Sequence, residues 1–304
     1  MKLIDCVERA AARLQSAGVA FGHGTDNAFD EAAWLVLWRL GLPLDALDEQ
    51  AERPLSATER AGVERLVDER IESRRPAAYL TGEAWLHGVP FFADERAIVP
   101  RSLLAEPLLD GTLETLLGRE PRAVLDLCTG NGSLAVLAAL AWPEARLLGT
   151  DLSGEALALA RRNVERHGLG ARVELRQGDG LAALGVGERF DLVLCNPPYV
   201  NARSMAALPA EFRAEPAMAL AGGPDGMDFV RPLIAGVARH LQPDGALALE
   251  IGHERAHFEA AFPWLAPLWL ATSAGDDGVL WLDHEQLRSR PEAQALPRGS
   301  GATR

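Results

Sequence analysis

The sequence predicts an α/β protein: a mostly parallel sheet with helices on both faces, preceded by a helical domain and a β-hairpin linker. From Arg122 onward short apolar runs alternate with helical stretches, which is how βαβ units read. Over the first 80 or so positions, apolar residues recur instead at helical spacing. At 304 residues and 48% hydrophobic content, the chain can bury a sizeable core in one large domain or two smaller ones.

Leu3, Val7, Ala10 and Leu14 mark a first helix, Ala33, Leu37 and Leu40 a second, and Val63, Leu66, Val67 and Ile71 a third. Between the first two, FGHGTDNAFDEA (Phe21–Ala32) is rich in Gly, Asp and Asn and reads as a loop running into a helix start. Residues Arg74–Ser102 change character. Their aromatics, prolines and the alternation Ala97-Ile98-Val99, bounded by Gly88 and Asp94-Glu95, predict a β-hairpin or an extended connector. The strands of the sheet follow as Ala123–Cys128, Ala145–Asp151, Ala171–Asp179 and Phe190–Tyr199, then Gly245–Gly252, Pro267–Thr272 and Gly278–Asp283. Helices are expected at SLAVLAALA, through LALARRNVERHG to Gly168, and near Phe229–Leu241. The last two strands, with no strong helix between them, predict an antiparallel pair at one edge. From Arg288 the chain is polar and rich in Pro, Gly and Arg, without apolar periodicity, which predicts a disordered tail. The expected organisation is a helical domain over 1–80, a hairpin linker over 81–105, an α/β domain over 106–287 and a tail over 288–304.

Thirty basic against 43 acidic residues give a net charge of −13. That argues against a uniformly basic surface for gripping nucleic acid, and it suits a partner that is itself basic. Cys6, Cys128 and Cys195 form no CxxC pair, so a reducing compartment is expected. Asp5 and Glu8 would interrupt any signal-peptide core, and the stretch Leu134–Trp142 is short of the roughly 20 residues that cross a bilayer. A cytoplasmic protein without membrane contact is the expectation.

Three groups of residues carry chemistry. DLCTGNGS (Asp126–Ser133) closes the first sheet strand and opens the next helix, with Gly130 and Gly132 permitting a sharp turn and close ligand approach. Asp151 ends the next strand, where a carboxylate could accept both hydroxyls of a ribose; on its own it also reads as an acid at a helix start. Asp179, after the third strand, stands where an adenine amino group would need an acceptor. NPPY (Asn196–Tyr199) directly follows the apolar strand FDLVLC. Two consecutive prolines lock the chain in an extended turn at the strand's carboxyl edge. There the Asn196 side-chain oxygen and the Pro197 carbonyl can aim at one planar NH2 group, with the Tyr199 ring over its plane. His253-Glu254-Arg255-Ala256-His257 matches HExxH, but it follows a strand at the mouth of the fold with no third ligand in evidence. We read it as a solvated helix with Glu254 and Arg255 exposed, not as a metal site.

The order DLCTGNG, Asp151, NPPYV resembles the class I S-adenosylmethionine-dependent methyltransferases that modify an NH2 group, a Rossmann-like fold of seven strands. NPPY is shared there by glutamine-amide, adenine-amino and guanine-amino enzymes. The flanks Ala97–Glu106 and Leu208–Ile234 are similar to protein N5-glutamine methyltransferases; Phe21–Ala32 and Asp276–Leu287 are similar to their ribosomal-protein (PrmB-type) branch. The likeness spans nearly residues 1–287. It implies methyl transfer from S-adenosylmethionine, leaving S-adenosylhomocysteine, to a glutamine amide of the third large-subunit ribosomal protein. It further implies a cofactor site at Asp126, Cys128, Thr129, Gly130, Asn131, Gly132, Asp151, Leu152, Asp179, Gly180 and Asn196. Catalytic and substrate contacts would come from Asn196, Pro197, Pro198 and Tyr199. Asn131 stands where Ser or Thr is more usual, Leu103 where proline is usual, and Gly180 where the release-factor branch has an adenine-stacking aromatic. The alternatives are glutamine methylation of release factors, methylation of a nucleic-acid amine, and a non-catalytic nucleotide-binding or NAD-binding Rossmann module.

Overall fold

The computed structural model describes residues 1–289. Three helices, Leu3–Ser16, Ala28–Arg39 and Ala57–Ser73, pack their predicted apolar faces into one cluster built on Leu3, Leu14, Leu35, Leu37, Val63 and Val67. Each such side chain contributes about 1.5–3 kcal/mol by leaving water. The second helix starts at the cap Asn27, whose side chain accepts from the Asp30 amide at 2.9 Å. Ser56 and Glu59 close a reciprocal capping box on the third.

The hairpin is shorter than the expected connector. A helical turn, Ala77–Thr81, occupies its first part, and only β1 (Glu83–Leu86) and β2 (Val89–Phe92) pair. His87 and Gly88 between them both have positive φ, the tight turn whose twist matches antiparallel strands. The alternation Ala97-Ile98-Val99 forms no strand. Its backbone groups are taken by side chains instead: Tyr79 Oη donates to the Ala97 carbonyl at 2.6 Å, Asn131 Nδ2 to that of Ile98 at 3.0 Å, and the Val99 amide to Glu215 at 2.9 Å. A segment satisfied in this way needs no ladder. Asn163, fully buried on the helix Gly154–Arg166, bonds both backbone groups of Phe92 and the carbonyl of Asn131, so one side chain fixes the hairpin against the Gly-rich turn.

The main sheet has seven strands: β3 (Ala123–Leu127), β4 (Arg146–Asp151), β5 (Val173–Gln177), β6 (Phe190–Cys195), β7 (Leu241–Glu250), β8 (Leu268–Thr272) and β9 (Gly275–Asp283). Their order is β5-β4-β3-β6-β7-β9-β8, and the first five run parallel. β8 and β9 form the expected antiparallel pair at one edge, with β9 paired to β7 and β8 outermost. β7 begins before Gly245, with a bulge opposite Phe190–Leu192 that absorbs Pro243. The order reverses between β3 and β6, and such a reversal opens a crevice at the carboxyl ends of the strands. Cores on both faces of the sheet hold this crevice rigidly. Among the described residues no helix is long and apolar enough to cross a membrane. A short helix, His284–Arg288, runs one residue past the point where the tail was expected to start; residues 290–304 of that tail lie outside the described residues.

Candidate active site

The turn after β3 divides its predicted residues between two tasks. Cys128 and Gly130 line a cleft of about 770 Å³ above the crevice, together with Asp151, Leu152, Asp179 and Gly180. Asp126, Thr129, Asn131 and Gly132 do not line it; they frame the turn from beneath. Asp126 is buried under the turn, accepting from Thr129 Oγ1 at 2.5 Å and from the Ala135 amide at 3.0 Å. Burial raises its carboxyl to about 6 against the pull of those two bonds. Asn131 bridges the Ile98 carbonyl and the Ser133 amide, which is why a longer amide serves there in place of Ser or Thr. Gly132 packs on Ala160, where a Cβ would come within 3.1 Å of the alanine's own.

Asp151 faces the cleft with its carboxylate already aimed: Oδ2 accepts from the Gly130 amide at 2.9 Å and Oδ1 from Ser153 at 2.8 Å. Burial raises its pKa, and these backbone donors oppose that shift. Beside Gly180 the edge of Phe229 closes the cleft, 3.5 Å from where a Cβ at 180 would stand. Phe229 is 49 residues further along the chain, on a loop before a helix, and nothing local in the sequence pointed to it.

NPPY joins this cleft to a second. Asn196 and Pro198 line the first; Asn196, Pro197 and Tyr199 line an adjoining cavity of about 1360 Å³. Arg101, Phe212 and Glu250 also wall that cavity, and sequence reasoning named none of them. Tyr199 does not stand free as a stacking ring. Its hydroxyl donates to Glu250 at 3.2 Å, and its pKa lies well above a normal phenol, first through burial and then through the Glu250 charge.

The far wall comes from the loop between the first two helices, through Gly22 and Asp26. Glu215, wholly buried, accepts two hydrogen bonds from the Arg101 guanidinium and lies 3.5 Å from His23 Nε2. Burial alone would raise the Glu215 carboxyl; His23 and Arg101 outweigh it and hold it at about 2. Next to it Glu211 is bonded by Arg74 at 3.2 Å, and the fully buried Arg70 lies 3.6 Å away while donating to Glu31 at 2.9 Å. The loop Phe21–Ala32 and the segment after NPPY are thereby clamped together.

The HExxH segment leads into a largely solvated helix, as expected, except at Glu254. The helix starts only at Arg255, so His253 precedes it and the two imidazoles do not share a helical face. Glu254 is buried, accepting from Asn201 Nδ2 at 2.6 Å and paired with His257 Nδ1. Among the described residues no three His, Cys, Asp or Glu side chains are placed to hold a metal.

Fold and clefts define a class I methyltransferase, and comparisons agree. The Methyltransferase small domain family matches residues 108–227 and the PrmC N-terminal domain family residues 5–82. The crystal structure of the hMettl16 catalytic domain in complex with MAT2A 3'UTR hairpin 6 superposes with a TM-score of 0.51 over 74% of this chain and 81% of that one; at 14% identity this is a likeness of fold alone. The ribosomal protein uL3 glutamine methyltransferase of Bordetella pertussis is 52% identical, over 94% of this chain and 96% of its own length. Those of Burkholderia pseudomallei and Bradyrhizobium diazoefficiens are 50% and 45% identical, over 93% and 92% of this chain and 94% and 90% of theirs. The chain belongs to the ribosomal protein uL3 glutamine methyltransferase family.

Proposed function

We propose that this protein transfers a methyl group from S-adenosylmethionine to the side-chain amide nitrogen of a glutamine in ribosomal protein uL3. The observation that carries the reading is Asn196 standing in the common wall of two clefts, one suited to a nucleoside and one to a side chain. The first fits the cofactor. Asp151 is oriented by two backbone amides and retains lone pairs for ribose hydroxyls. The backbone at Gly130 has open space where a side chain would project, and Phe229 offers an apolar edge for a base. Bound there, S-adenosylmethionine supplies an electrophilic methyl on a sulfonium.

The chain does the rest by placement. An amide nitrogen is a poor nucleophile because its lone pair is delocalised. Asn196 Oδ1 and the Pro197 carbonyl accept its two hydrogens, fix the group beside the methyl and stabilise the positive charge that grows on nitrogen. Pro198 and Tyr199 shape the two sides of that turn. The proton lost afterwards passes to water. In this reading the helical region (1–80) selects the protein, the hairpin (81–105) links, and residues 106–287 carry catalysis. The work is done in the cytoplasm, without a membrane and without direct contact to nucleic acid. A charge of −13 favours a basic protein as acceptor.

Label transfer from methyl-tritiated cofactor, with uL3, a peptide chain release factor and ribosomal RNA offered in parallel, tests this. Label should enter uL3 on a glutamine; label entering only RNA or only the release factor would overturn it. Asp151→Ala should weaken cofactor binding by about 10- to 150-fold in calorimetric titration, the scale of a lost hydrogen bond to a charged group. An unchanged Kd would remove Asp151 from the site.

A further inference from the structure

Glu250 is the last residue of β7, the strand beside β6, which ends in Cys195 and leads into Asn196. The register pairs Cys195 with Leu249, so Glu250 emerges level with Asn196 at the carboxyl edge. It is 3% exposed and lines the second cavity with Asn196 and Tyr199. Its two oxygens tie separate parts of the chain together. Oε2 accepts from Ser102 Oγ at 2.6 Å, with the Leu104 amide at 3.4 Å, and Oε1 accepts from the Tyr199 hydroxyl at 3.2 Å. The Tyr199 ring is also pinned from the side. Gly252 has φ +53, and a Cβ there would lie 2.6 Å from Tyr199 Cε2, so the ring rests directly on that backbone. Across the cavity, the Arg101 charge is already answered by Glu215. Glu250 has no basic partner among its hydrogen-bond donors: two hydroxyls and one amide hold it.

From this geometry, and resting on the function proposed above, we propose that Glu250 is a positioning residue for methyl transfer. It holds Tyr199 against the acceptor amide and turns its carboxyl toward the nitrogen. Burial raises the pKa of that carboxyl, and the Ser102, Leu104 and Tyr199 donors oppose the shift by favouring the charged form. In the transfer the amide lone pair forms the N–C bond, the S–C bonding pair returns to sulfur, and one amide proton leaves to water. Positive charge therefore moves from sulfur toward nitrogen, into the cavity Glu250 lines. A preorganised carboxylate there acts on the transition state more than on the bound ground state.

The test compares wild type, Glu250→Gln, Tyr199→Phe and the double variant in steady-state transfer to intact uL3, with cofactor Kd and melting temperature measured alongside. Glu250→Gln keeps the shape and removes the charge. It should lower kcat by about 10- to 100-fold while KM for uL3 and cofactor Kd move less than about threefold, the pattern of an interaction made mainly in the transition state. Tyr199→Phe keeps the buried carboxylate and removes only the hydroxyl, and should lower kcat by about three- to tenfold. In the Tyr199→Phe background the Gln substitution should cost less than it does in wild type, because part of its effect passes through the tyrosine. A Glu250→Gln enzyme with wild-type kcat, or one changed only in KM, overturns the proposal. If Glu250→Gln fails to fold, Tyr199→Phe decides: unchanged turnover there overturns it. If wild type itself leaves uL3 unlabelled, the proposed function has failed, and the same variants assayed on whichever acceptor wild type labels then decide Glu250's role.

Discussion

Asn196→Ala should lower kcat by about 10²–10³, equivalent to roughly 3–4 kcal/mol, as for loss of one preorganised hydrogen bond to the reacting group. The residue directly follows β6 at the junction of two clefts and is not part of any core cluster, so the fold should persist with an unchanged melting temperature. Cofactor affinity should fall far less than turnover, because Asp151 and the Gly130 turn remain. Asn196→Asp is the sharper comparison. A carboxylate keeps an acceptor at the same place and should retain more activity than Ala, though it gives up the amide's own donor and adds charge next to the sulfonium. Single-turnover rates at saturating cofactor would show this directly. Wild-type rates in both variants would make NPPY a structural corner only.

Glu215→Ala should cost about 3–5 kcal/mol of folding stability in denaturant titration, the scale for removing one partner of a buried ion pair. It strands the Arg101 guanidinium, leaves the Val99 amide without an acceptor and removes the neighbour of His23. A loss below about 1 kcal/mol would show that water or a neighbouring carboxylate takes over. The same group sets an acid response. Its folded pKa of about 2 lies below the ordinary value of 4.5, so its contribution is complete above 4.5 and is lost as pH falls toward 2. The wild-type protein should therefore lose stability across that window, and Glu215→Gln should lose less.

The strands of the α/β half were legible because parallel strands buried on both faces read as unbroken apolar runs, as in Leu192–Cys195, which is buried throughout. The three N-terminal helices were legible for the matching reason, an apolar stripe at helical period. What misled was the segment around Ala97–Val99. Its alternation suited a strand, but Tyr79, Asn131 and Glu215, remote in sequence, claimed its backbone groups. The position of β9 depends on which neighbour a strand selects, a tertiary choice that local pattern does not encode. At the site, the motif residues announced themselves through turns that only Gly and Pro favour. Glu250 and Phe229 did not, because an ordinary carboxylate or aromatic gains its meaning from what folds beside it. Glu254 showed the reverse: a motif match whose glutamate is spent on Asn201 and His257.

The clamp between the helical region and the segment after NPPY bears on how such enzymes can diverge. Arg74 donates to the carbonyls of Ala17 and Gly18 and to Glu211, while Arg70 sits fully buried between Glu31 and Glu211. Arg70 has Glu31 on its own side of the boundary, but buried Glu211 is matched only by Arg70 and Arg74 from the other side. A helical region exchanged as a cassette between branches would leave buried ions unmatched. A graft that carries residues 1–82 without residues 208–219 should misassemble, whereas one that moves both together keeps the His23–Glu215, Arg70–Glu211 and Arg74–Glu211 pairs whole and leaves Arg101 as the one charge the host must match. On the function proposed above, in which the helical region selects the protein, substrate preference is inherited in linked pieces, and a change of target protein rewrites one wall of the candidate site at the same time.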